Sequence, residues 1–448
     1  MLEKGSIPTS EPIIRVGIVL PEDGFTQIEF DLPGQPVYRL EGGGQSPFLN
    51  KQSTYRIVLH DGKLSLYQNK KTLLTDSALQ VIPQEDKPSI APQQGVRLKQ
   101  VISGRDFHWK KRIDVLLSGS LKFAVHDNQL IVINELPIEH YLMCVATSEM
   151  GAACPEALIE AQTIAARSWM LANVEQKHIH MGMDVCNDDC CQRYQGTTFL
   201  TGQSIKGALQ TYGQTLLYGG QICDARYSKS CGGVMESFST IWDGPDLPYL
   251  QIIADAKSEL PEWKKPLSEE RHFRHWIDSV PASFCSPHFI PEDKLIRYLG
   301  SVDEQGHYFR WEETIAQKAL TAHLNRLHGL KAKAVRRLSV LQRGGSGRII
   351  RLRVELIGPD DESIQLDLNK DFIIRKSLHP RFLYSSAFVV EHEPQEAAVP
   401  RRFHFKGAGW GHGVGLCQIG ALGMALAGYS AAEIVTHYFP GSELKKIY

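Results

Sequence analysis

No apolar run in this 448-residue chain approaches the ~20 residues that a membrane helix needs, so no spanning segment is expected. Charge of one sign is lacking too. Lys+Arg number 49 and Asp+Glu 50, which leaves a formal net charge of −1. Without a basic field, neither nucleic acid nor an anionic membrane surface is an expected partner. Cysteine is sparse: nine in a long chain exclude a disulfide scaffold, which would be short and cysteine-dense. The opening MLEKGSIPTSEPIIRVGIVL lacks the lysine-led apolar stretch and small-residue cleavage pattern of a secretory signal. There is no internal repeat and no low-complexity tract. Hydrophobic residues at 42% and charged residues at 22% are ordinary globular usage, which excludes disorder, collagen and simple coiled coil.

What is present reads as an α+β fold. A β-rich N-terminal region covers 1–115, where short β-type runs such as Ile13–Leu20, Ser53–Leu59 and Lys63–Gln68 are separated by turns such as Asp61-Gly62. A mixed α+β core follows over 116–250, with the turn Asp127-Asn128 early in it and a helical pair at its centre. The first helix, Pro137–Met150, aligns Ile138, Leu142, Val145 and Glu149 on one stripe. The second opens at Pro155 and is rich in alanine (Ala157, Ala161, Ala165, Ala166, Ala172), so a neighbouring backbone can come close. An α+β elaboration spans 251–400, with Thr314–Leu327 reading as helix. A glycine-rich segment, 401–448, ends the chain. There Leu416–Ala427 reads as helix, and Ser430 and Glu433 form a capping box for a last helix.

Three groups of residues could carry chemistry. Glu149 is a carboxylate on an apolar stripe at a helix C-terminus. Burial and the helix dipole both disfavour its charge, which suits a general acid. The bland alternative is an ion pair, for example with Arg167. His180, Cys186, Cys190 and Cys191 offer nitrogen and sulfur ligands that suit a structural, tetrahedral Zn²⁺, with His178 as a substitute for His180. The alternative is a set of thiols in a mobile loop. The other six cysteines (Cys144, Cys154, Cys223, Cys231, Cys285, Cys417) are scattered and read as small buried hydrophobes. Gly407, Gly409, Gly411, Gly413 and Gly415 alternate around Trp410 and His412. No Lys-Ser/Thr follows, so this is no phosphate loop. It fits either a close approach to a ligand or a tight structural crossing.

Several blocks together resemble one family. They are Leu136-Pro137-Ile138-Glu139-His140-Tyr141-Leu142, Ser148-Glu149-Met150, Glu160 to Ser168, Asp184-Val185-Cys186 with Cys190-Cys191-Gln192-x-Tyr194, Ser230-Cys231-Gly232-Gly233, Ser346-Gly347-Arg348, and Gly409-Trp410-Gly411-His412-Gly413-Val414-Gly415-Leu416-x-Gln418. The combination resembles the stage II sporulation protein D / LytB amidase-enhancer family, in order from about residue 116 to the end. The resemblance implies a bacterial peptidoglycan lytic transglycosylase that acts outside the cytoplasmic membrane on glycan strands stripped of stem peptides. It implies Glu149 as the catalytic acid, no organic cofactor, and zinc in the Cys/His loop. It also implies work alongside a cell-wall amidase, or, as the alternative, a non-catalytic glycan-binding enhancer of one. Gln162, Arg167, Trp410 and His412 are the candidate substrate-binding residues: Arg167 for the lactyl carboxylate, Trp410 for a sugar face, and His412 to position Glu149. The glycine-rich segment is expected to close the active site. Cys190 stands where relatives usually have His, and Cys231 and Cys417 stand where many have Ser.

Overall fold

Burial alternates with period two along the N-terminal strands. In Gln27–Asp31, Ile28 and Phe30 face inward while Gln27 and Glu29 face out, and Leu64 and Leu66 repeat the pattern in Lys63–Gln68. Strands of this kind must cover one face. The computed structural model, which describes residues 1–34, 36–85, 89–105, 110–299 and 307–448, meets that need with two six-stranded sheets. One runs, in order, Lys71–Asp76, Lys63–Gln68, Thr54–His60, Gln27–Asp31, Val96–Ser103 and Lys111–Leu117, antiparallel throughout. The other runs Val185–Cys186, Ile13–Val19, Gln129–Pro137, Ser120–His126, Leu79–Pro83 and Tyr38–Glu41, with only the first pair parallel. Phe30 of the first sheet stacks on Phe123 of the second at 5.6 Å, so their inner faces meet. Asp127 and Asn128 both take positive φ, as a tight two-residue hairpin turn requires.

The strand Gln129–Pro137 runs straight into helix α1 (Ile138–Glu149). Helix α2 (Glu156–Ala172) begins just after Pro155, and α3 (Gly202–Gln210) packs on both. Ala161, Ala165 and Ala166 are buried. A Cβ on Gly207 would meet Ile159 Cγ2 at 2.8 Å, so α3 approaches α2 closely at a residue without a side chain. These elements belong to one unit, Met1–Asp224 with Leu444–Tyr448. The chain end rejoins it because the strand Glu443–Lys446 lies beside Gln214–Tyr218.

The second unit is Ala225–Glu443. A meander of Ala334–Arg343, Ile349–Ile357 and Ser363–Asn369 forms a core with the helices Gln317–His328 and Asp371–Leu378, through Val335, Leu352, Leu356 and Ile374. The expected helix over 314–327 begins late. Arg310–Ala316 is a strand in which the β-branched Thr314 and Ile315 pair with His404 and Phe403. Leu416 and Cys417 likewise leave the expected helix and pair in parallel with Tyr227 and Ser228, and the helix is Gln418–Leu426. The capping box forms as read: Ser430 and Glu433 bond each other's backbone N–H ahead of Ala431–Tyr438.

Gly409 (φ 75°) marks a backbone crossing: a Cβ there would lie 2.7 Å from Ser230 O and 2.9 Å from Gly232 N. Gly428 (φ 90°) faces open space. The variant Gly428→Ala should lose about 1–2 kcal/mol from its backbone conformation alone. Gly409→Ala should lose clearly more in urea denaturation, because a neighbouring backbone must also move.

Candidate functional site

Glu149 is the last residue of α1, where Ile138, Leu142 and Val145 of the same stripe are buried and the chain turns extended at Met150. The carboxylate is half-buried, and the Arg193 backbone N–H donates to its Oε1 at 3.0 Å. Arg193 is held in place from both sides. Its guanidinium pairs with Asp189 at 3.0 Å. The preceding Gln192 accepts from the Tyr141 hydroxyl at 2.9 Å and donates to the Ala166 carbonyl at 3.2 Å. The following Tyr194 stacks on Tyr141 at 5.0 Å and donates to Asn134 at 2.7 Å. Burial drives the Tyr141 phenol well above its ordinary range, so it remains a donor. The segment 192–194 thus fastens α1, at Tyr141 near its start and at Glu149 at its end, to α2 and the sheet.

The same segment leaves the cysteine loop. His178, Cys186, Cys190 and Cys191 place one ligand atom each within 4.8 Å of one another. His178, not His180, is the histidine brought in. His180 sits on a one-turn 3₁₀ helix (Ile179–Met181), exposed, with its ring 5.9 Å from that of His126. Cys186 is fixed by the parallel pairing of Val185–Cys186 with Val16–Gly17. Cys186 and Cys190 sulfurs are 3.2 Å apart, and that contact lowers Cys190 and raises Cys186 from the ordinary thiol range. His178 Nε2 is buried with no hydrogen-bond partner among the described residues, as a ring nitrogen intended for a metal would be. Nearby, Asp188 accepts from the backbone of Gly104 and Arg105, and Arg105 also pairs with Asp23, so the loop is anchored to the sheets. One nitrogen and three sulfurs are compatible with a structural metal.

Arg167 is at neither Glu149 nor the surface. It is fully buried and makes a bidentate pair with Glu139 (2.8 and 2.6 Å), plus a bond to the Gln214 carbonyl. Gly213 N–H and the Tyr448 hydroxyl also donate to Glu139. A sugar carboxylate would have to break this pair to reach the guanidinium. Gln162, on α2, is 1% exposed. In the second unit, Trp410 is half-buried between Tyr384 and Tyr308, with ring centroids 4.5 and 4.9 Å away. His412 meets the edge of Trp242 at 4.8 Å and accepts from Val414 N–H at Nδ1. Burial pushes its imidazole down to about 3, with Arg226, Arg348 and Arg375 adding to the drop and Asp371 opposing it, so the ring is neutral.

Sequence reasoning overlooked Arg193, whose contribution is a backbone N–H and leaves no side-chain signature. Tyr141 and Gln192 lie in the family-like segments, but their residue types alone suggest no role.

The sequence model of a stage II sporulation protein family (SpoIID) matches residues 126–218, which span α1, α2 and the cysteine loop. A protein of Bacillus subtilis described as an amidase enhancer is 25% identical over 308 residues, 67% of this chain and 39% of that protein. Over residues 126–218 the chain is thus similar to the SpoIID family, and more broadly to the amidase enhancer. A domain of unknown function (DUF8618) matches residues 236–415, inside the second unit. An uncharacterised protein of Brachyspira hyodysenteriae is 24% identical over 326 residues, 73% of this chain and 71% of that protein. The chain therefore aligns with well under half of the amidase enhancer but with most of the Brachyspira protein.

Arg167→Met should leave Glu139 buried without its cation and cost about 3–5 kcal/mol. Adding Glu139→Gln should recover much of that loss. Urea denaturation of the single and double variants measures both.

Proposed function

We propose that this chain is a lytic transglycosylase that cleaves the bond between N-acetylmuramic acid and N-acetylglucosamine in peptide-stripped peptidoglycan, with Glu149 as its one acid–base residue. The observation that carries the reading is a half-buried carboxylate at the end of a largely buried helix, oriented by the Arg193 N–H, within the family-matched region. Glycoside hydrolysis ordinarily needs two carboxylates, one for the leaving group and one for water or covalent attack. Intramolecular transfer needs one. Protonated Glu149 gives its proton to the glycosidic oxygen as the C1–O bond breaks. The resulting carboxylate takes the proton of the muramyl C6 hydroxyl as that oxygen bonds C1. The product is a 1,6-anhydro sugar, the acid is regenerated and no water is consumed.

His178, Cys186, Cys190 and Cys191 would hold a structural Zn²⁺ with all four positions filled by protein. Its contribution is to the loop that carries Arg193, so its ligands support the orientation of Glu149 without touching the sugar. Arg167 is better read as part of the frame that fixes α1. The substrate places the protein outside the cytoplasmic membrane. Among the described residues no helix is long and apolar enough to cross a membrane.

A second reading follows from the description of the Bacillus relative: a glycan-binding partner that stimulates a cell-wall amidase without cleaving the strand itself. One experiment separates the two. Peptide-stripped glycan is incubated with wild type and with Glu149→Gln, and the products are identified by mass spectrometry. Wild type should release anhydromuramyl products, and the variant, folded by circular dichroism, should release them at least ~10²-fold more slowly. Equal release by both would overturn the assignment of Glu149. Binding without release, with amidase stimulation that survives in the variant, would establish the enhancer.

A further inference from the structure

Three of the cysteines that sequence spacing scatters meet in the second unit. Cys231, Cys285 and Cys417 converge with Asp255, each placing a ligand atom within 4.8 Å of the others. They come from a tight backbone turn before Gly232-Gly233, the segment after Trp276, and the residue preceding the helix Gln418–Leu426. All four are buried, at 3%, 3%, 1% and, for Asp255, 0% exposure. We propose that these four residues form a second metal site, a closed tetrahedral Zn²⁺ centre with three thiolates and one carboxylate, separate from the His178 cluster.

The distances fit the ion. With Zn–S near 2.3 Å, a tetrahedron has sulfur–sulfur edges of about 3.8 Å, and with Zn–O near 2.0 Å its sulfur–oxygen edges are about 3.5 Å. Cys231 Sγ lies 3.7 Å from Cys285 Sγ and 3.5 Å from Asp255 Oδ2.

The surroundings fit as well. Thiolates on a metal are typically supported by hydrogen bonds from beyond the ligand shell. Here Cys417 Sγ accepts from the backbone N–H of Cys231 (3.2 Å) and Gly420 (3.3 Å), and Cys231 Sγ accepts from Gly233 N–H (3.3 Å). The Tyr438 hydroxyl donates to Asp255 Oδ1 at 2.7 Å, which fixes the carboxylate with Oδ2 toward the sulfurs. A Cβ on Gly420 would run into both Tyr438 Oη and Asp255 Oδ2, so glycine there keeps the carboxylate seated.

Charge points the same way. Three thiolates and a carboxylate around Zn²⁺ carry two net negative charges, and isolated charge does not persist in an apolar interior. Two guanidinium groups stand beside the cluster: half-buried Arg310 donates to the Gly232 carbonyl at 2.9 Å and fully buried Arg348 to the Cys231 carbonyl at 3.3 Å. Every position of the tetrahedron is a protein atom, so the site is structural, tying the glycine crossing to the helix Gln418–Leu426.

The test is metal content, which does not depend on glycan turnover. The variant Cys186→Ser/Cys190→Ser/Cys191→Ser removes the first cluster. Loaded with Zn²⁺ alone and freed of excess, it should retain about one equivalent by mass spectrometry of the metal. Adding Cys285→Ser or Asp255→Asn should cut retention at least tenfold, and Asp255→Cys should restore it. If the triple variant does not fold, Co²⁺-loaded wild type should lose about one equivalent of tetrahedral, thiolate-ligated cobalt on Cys285→Ser. Zinc or cobalt retention unchanged by Cys285→Ser and Asp255→Asn would overturn the proposal. So would a Cys231–Cys285 disulfide in peptide maps of the unreduced wild-type protein.

Discussion

The arrangement around Glu149 depends on the buried pair between Glu139 and Arg167. It joins the first turn of α1 to the last third of α2, and Gly213 and Tyr448 complete the carboxylate's bonding. A buried ion pair is a poor source of net stability, but it is unforgiving of misplacement, because either partner alone is a desolvated charge. That intolerance makes it a device for register. With α1 fixed at its start by this pair, the segment 192–194 bonds it again at Tyr141 and at its last residue, where the Arg193 N–H donates to the Glu149 carboxylate.

The cysteine loop and the acid form one construction. The loop supplies no group to the sugar in the proposed reaction. It closes through four metal-capable side chains, anchors itself through Asp188 and Arg105, and delivers one N–H to Glu149. A rigid scaffold under a single reacting group is the economical solution when chemistry needs one proton donor that becomes one proton acceptor. In the second unit a similar logic operates without an evident reacting group. Glycines permit a backbone crossing beneath Trp410, and a buried cysteine–aspartate cluster lies against it.

Much of this was legible in the sequence where the signal is local. The strand alternation, the turns at Asp61-Gly62 and Asp127-Asn128, α1 with its acidic last residue, and the Ser430–Glu433 cap all depend on residues within a few positions of one another. Errors came where a distant partner overrides local pattern. Thr314 and Ile315 join a strand because Phe403 and His404 lie alongside them, and Leu416 and Cys417 do so because of Tyr227 and Ser228. The same limit explains Arg167, whose partner is the glutamate at the far end of α1 from Glu149.

By itself the sequence determined which residue types are at hand: an acid closing an apolar helix, a loop dense in thiols, glycines around a tryptophan. Tertiary structure decided which of them meet. It took His178 over His180 because a single 3₁₀ turn points the latter outward, and it gathered Cys231, Asp255, Cys285 and Cys417 from segments far apart in the chain. Turns, caps and helical hydrogen bonds are set within a few residues, but strand pairing and the proximity of distant side chains exist only once the core has closed, and no spacing along the chain records them.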